Sequence, residues 1–85
     1  MDPDDLFTIF VMCAYLQLNQ RDFISTLGQS LLRNIQELEP DKVLYMYTAA
    51  DRLKADPIKA TLRPLLQTIH TQLSPNCKLI YSKLP

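Results

Sequence analysis

Apolar residues recur along this chain with the period of helices that each bury one face. Leu6, Ile9, Phe10, Cys13 and Leu16 fall at i, i+3, i+4, i+7 and i+10, a single stripe down one helix. Moving 37 residues on brings Val43, Met46, Tyr47, Ala50 and Leu53 to the same stations. A second stripe, Phe23, Leu27, Leu31 and Leu38, recurs 35 residues on as Ile58, Leu62, Leu66 and Leu73. The two-residue difference falls between the stripes, where LNQRD in the first unit is shortened to ADP in the second. Loops are where a length change costs least.

Prolines punctuate the pattern. Asp2-Pro3, Glu39-Pro40 and Ser74-Pro75 each place proline at a first helical position, where no N–H is needed. Asp2 and Ser74 are good N-cap residues and Glu39 a poorer one, while Asp4, Asp5 and Asp41 suit the positive end of the helix dipole. Asn19 and Asp56 are placed to cap the second helix of each unit. The spacing predicts helices over 3–17, 20–37, 40–54 and 57–73, with a fifth beginning at Pro75 and ending around Leu84.

The predicted fold class is therefore all-α: a short α-solenoid in one domain over 1–85, with repeat one at 2–38, repeat two at 39–73 and a partial fifth helix at 74–85. Phe10 and Tyr47 become equivalent core positions facing the Leu27/Leu31 and Leu62/Leu66 pairs. Pro64 lies inside the fourth helix, where it removes one hydrogen bond and predicts a bend. Gly28, the one glycine, sits mid-helix and points to close helix packing rather than to a phosphate loop.

Proline, then a polar and an apolar residue, then a first helix, a short turn and a leucine-rich second helix: this order resembles the repeats of organellar RNA-metabolism proteins. The families are the pentatricopeptide, heptatricopeptide, octotricopeptide and FAST-kinase-like classes, and LEPDKVLYMYTAADRLKADP is the stretch most similar to them. The glycine that commonly ends the first helix of a pentatricopeptide unit is absent, with Asp56 standing in the turn, and the Trp, Gly and Tyr pattern of tetratricopeptide units is missing. The heptatricopeptide or FAST-kinase-like variety fits better. What the resemblance implies is mitochondrial or plastid residence and either RNA binding or a scaffold role in an organellar ribosome or similar assembly.

Composition narrows the classes. With 47% hydrophobic residues, one Gly and six Pro, the chain has neither a flexible linker nor a disordered tract. The longest apolar run, LFTIFVMCAYL, is too short to span a bilayer, and the acidic start MDPDD suits neither a secretory signal nor a mitochondrial presequence. A signal, if the protein enters an organelle, is internal or already removed, and an ending inside a fifth helix also fits a longer protein. Cys13 and Cys77 form no CxxC pair and read as reduced thiols, which favours an intracellular compartment. Net charge is zero, yet residues 1–41 carry two bases and seven acids while 42–85 carry seven bases and two acids. That asymmetry fits head-to-tail stacking, a partner meeting the basic half, or simply solvated helix faces.

Candidate chemistry is thin for an enzyme. His70 is the lone histidine, and DPDD is accounted for by capping, so no catalytic residue, metal ligand or cofactor site is assigned. Binding has more material. Arg52, Lys54, Lys59 and Arg63 cluster about the second turn with Tyr45 nearby, groups that suit phosphate contact and base stacking. Phe7, Met12, Leu32 and Leu44 lie off the main stripes, on faces where a solenoid stacks on its next repeat. Two repeats and a stub fall short of a self-sufficient array. The expected partners are other protein subunits on the solenoid ends, with RNA as the alternative.

Overall fold

A computed structural model describes residues 2–18 and 20–84. Five α-helices follow one another: α1 Pro3–Leu16, α2 Arg21–Arg33, α3 Pro40–Arg52, α4 Asp56–Ile69 and α5 Pro75–Ser82. Each of the two longer predicted second helices ends early and passes into a 3₁₀ turn, Ile35–Glu37 after α2 and His70–Gln72 after α4. Both turns carry the chain to a buried leucine, Leu38 or Leu73, and then to the next proline.

The helices pack as α1 on α2, α3 on α4, α1 on α3, α2 on α4 and α3 on α5. One layer thus holds α1, α3 and α5, and the other holds α2 and α4. The shortest dimension, 19 Å, is what two helix layers require. This is a compact all-α, five-helix bundle whose packing is consistent with a short helical-repeat arrangement.

The core is one continuous cluster. Phe10 and Tyr47 are 0% and 3% exposed, and Leu27, Leu31, Leu62 and Leu66 are buried with them. No polar or charged residue among those described is buried. Tyr47 keeps its hydroxyl at the rim, where it accepts a hydrogen bond from Arg63 Nη1 at 2.9 Å.

Two expected core residues are not covered. Leu16 is 62% exposed, and Phe23 is 48% exposed while its neighbour Ile24 is buried instead. Their counterparts one unit on, Leu53 and Ile58, are partly buried and buried. The difference has a simple cause: α1 and α2 cover that side of α3 and α4, and no described helix covers the same side of α1 and α2.

Capping also departs from expectation. Ser74 caps α5, accepting from the Cys77 N–H at 3.4 Å, but Asp2 and Glu39 stand at their caps without a side-chain bond. Asp56 is the first residue of α4, with Ala55 at the cap, and Gln20 holds that place for α2. Asn19 lies outside the described residues. Helix α4 runs on through Pro64, and the Ala60 carbonyl that loses its partner there belongs to an exposed residue that water can serve.

Both α1 and α3 close in the same way. Gln17 and Lys54, 37 residues apart, adopt left-handed backbone angles of φ 54° and 57°. Leu18 N–H donates back to Cys13 O at 3.1 Å and Ala55 N–H to Ala50 O at 2.9 Å, the six-to-one bond of a Schellman motif. Here Gln and Lys fill a position where glycine is usual, which explains why no glycine marked these turns in the sequence.

Candidate interaction surfaces

The first helices are tied together by side chains at their N-terminal turns. Asp4 of α1 accepts from the Lys42 ammonium of α3 at 2.7 Å, and that ammonium also lies 5.8 Å from the centre of the Phe7 ring. Asp41 of α3 in turn accepts from the Ser74 N–H at the start of α5, at 2.9 Å. The same station, 37 residues apart, thus reaches forward to the next first-layer helix in both units. This bond holds the Asp41 carboxyl below its ordinary range, because the ionised form is the better acceptor. Hydrogen bonds to Asp4 and Asp51 raise the Lys42 and Lys59 ammonium groups above theirs.

The basic residues divide into two sets. Lys59 bonds Asp51 at 2.7 Å and lies 5.8 Å from the Tyr47 ring, and Arg63 donates to the Tyr47 hydroxyl, so both brace α4 against α3. Arg52 and Lys54 instead line a groove of about 850 Å³ between the two helix-helix turns, and Arg21, not singled out in the sequence, joins them there. Among the described residues no carboxylate lines this groove; its apolar lining includes Ala14, Ile24, Leu53 and Ile58, and Gln17, Ser25 and Gln29 supply neutral polar groups. The first turns of α2 and α4, which carry Asp22 and Asp56, border it. The Arg52 guanidinium stands 5.4 Å from the ring centre of exposed Tyr15.

Tyr45 does not join that cluster. It lies beside Cys77, and donation of its hydroxyl to the Cys77 sulfur pushes the Tyr45 phenol above its ordinary value, so it marks the α3–α5 side. His70 is exposed, stacks on Tyr81 with ring centres 5.4 Å apart, and gives its Nδ1 proton to the Gln67 carbonyl at 2.8 Å. Among the described residues no three His, Cys, Asp or Glu side chains gather closely enough to hold a metal ion, and no helix is long and apolar enough to cross a membrane.

Of the four residues expected to face partners, Leu44 is fully buried in the core and Phe7 and Leu32 are partly buried against it. Met12 alone is open, 52% exposed. It belongs with Leu16 and Phe23 to an apolar row on the uncovered side of α1 and α2. Phe7 faces α3 beneath Lys42, and Leu16, nine residues on, lies roughly 180° round the helix. Gly28 faces α4, where the Ile58 δ-methyl fills the space a Cβ would need, and Phe23 lies roughly 140° from it.

No protein-family model, no curated protein and no solved structure matches this chain.

Proposed function

We propose that this chain is a non-enzymatic helical-repeat scaffold, a segment of an α-solenoid that other protein subunits extend. The carrying observation is the open row Met12, Leu16 and Phe23, which has the composition of a core face and no cover among the described residues. Small proteins seldom leave large apolar side chains side by side in water without a partner to receive them. The resemblance to organellar repeats nominates a mitochondrial ribonucleoprotein, such as the mitochondrial ribosome, as the assembly. Purification from the native source tests this: the chain is expected to co-sediment with a defined set of protein subunits, whereas recovery as a free monomer would contradict it.

A second reading, a small adaptor for single-stranded RNA, is favoured by the groove that Arg21, Arg52 and Lys54 line without a carboxylate. Tyr15 beside Arg52 would offer a stacking surface. Three phosphate contacts give log K against log salt a slope of about −2 for a single strand. Fluorescence anisotropy with a labelled oligoribonucleotide should show that slope and lose it in the Arg21→Glu, Arg52→Glu, Lys54→Glu variant. Binding that is absent, or indifferent to salt, removes this reading.

A further inference from the structure

The row on α1 and α2 repeats, one unit earlier, stations that form an interface inside the molecule. Adding 37 to Asp5, Met12 and Leu16 gives Lys42, Ala49 and Leu53, and adding 35 to Phe23 gives Ile58. Lys42 bonds α1, and Ile58 fills the space at Gly28 of α2; Ala49 is buried and Leu53 is packed against the core. The second unit therefore spends these stations on the first, while Met12, Leu16 and Phe23 of the first unit stay open at 52%, 62% and 48%.

We infer that the face formed by Asp5, Met12, Leu16 and Phe23 receives a helical hairpin of another chain, packed as α1 and α2 pack on α3 and α4. The inference rests on the scaffold reading and adds the shape and charge of the partner. The partner's second helix carries a small residue opposite Phe23, as Gly28 lies opposite Ile58. Its first helix carries an apolar residue at the station of Phe7 and a basic one at the station of Asp4, because Asp5 stands where Lys42 stands in the second unit. The polarity of the ion pair is reversed relative to the internal junction.

A second copy of this chain does not fit the requirement. The station of Gly28 is taken in α4 by Arg63, which leaves no socket for Phe23. Leu79, 61% exposed at the station of Phe7, supplies only the first-layer half of such a surface.

The test extends the full chain at its N-terminus with an additional copy of residues 2–38, so that Leu38 of the added unit runs directly into Asp2 and keeps the 37-residue register. The added unit carries Asp4→Lys to supply the base. Thermal unfolding should then be a single transition, at least about 5 °C above that of the 85-residue chain and above that of the same fusion with Asp4 retained. Phe23→Glu in the original unit should leave the 85-residue chain's transition where it was and erase the gain in the fusion. Separate transitions, no gain, or a Phe23→Glu change as harmless in the fusion as in the free chain would overturn the inference. So would self-association of the free chain that Phe23→Glu abolishes, since a second copy would then be the occupant. A fusion that gains nothing while the free chain is itself poorly folded sinks the hairpin partner alone; a free chain that is a stable monomer sinks the scaffold reading too.

Discussion

Phe10 and Tyr47 show how a single side chain reports the register of the whole. Both occupy the same station 37 residues apart and both are buried, so Phe10→Ala should cost about 3–5 kcal/mol in denaturant unfolding. Tyr47→Ala should cost a comparable amount, since it also removes a hydrogen-bond acceptor of Arg63 and the ring beside the Lys59 ammonium. Asp41 sets a pH response. Its folded-state carboxyl lies below the ordinary value, so its stabilisation of α5 is complete above that ordinary value and is lost as pH falls through the folded one. Amide protection factors in α5 should therefore fall as pH drops below about 4, and Asp41→Asn should remove that dependence. The opposite limit belongs to Lys42 and Lys59: raised in the folded state, they contribute below the ordinary lysine value and lose that contribution as pH rises through their folded values. Leu16 and Phe23 show the boundary of residue-level reading, because stripe position says that a side chain suits a core but not whether a neighbour is there to form one.

At the scale of the elements, the proline-led starts and the apolar period sufficed for all five helices, since Pro3, Pro40 and Pro75 each open one. The ends were harder. The Schellman closures at Gln17 and Lys54 use residues that carry no turn signature, and the 3₁₀ passages after α2 and α4 continue a helical period without helical bonding. Replacing Gln17 by Gly should stabilise the chain by up to about 1 kcal/mol in chemical unfolding, because glycine adopts the left-handed angles without the Cβ conflict. Gly28 works in the other direction. Alanine would gain about 1 kcal/mol of helix propensity but would press on buried Ile58, and overpacking of that kind costs about 1–3 kcal/mol. Gly28→Ala should thus be neutral to destabilising, and Ile58→Val should partly relieve it.

For the whole molecule, an all-α bundle of packed helices was legible because it follows from two stripes repeated in register. The candidate surfaces were legible only in part. Sequence adjacency grouped Arg52, Lys54, Lys59 and Arg63, whereas packing spends Lys59 and Arg63 on Tyr47 and Asp51 and brings Arg21 from the first unit to Arg52 and Lys54. No local pattern announces a residue that joins a site across a turn 31 positions away, as Arg21 joins Arg52. Whether these helices form part of a stack whose open face needs a neighbour is decided by sedimentation of the purified 85-residue chain, together with its thermal unfolding followed by circular dichroism. A chain built for such a stack should either associate or remain a monomer with a shallow, low-temperature transition, whereas a monomer across the concentration range with one sharp, cooperative transition would contradict it.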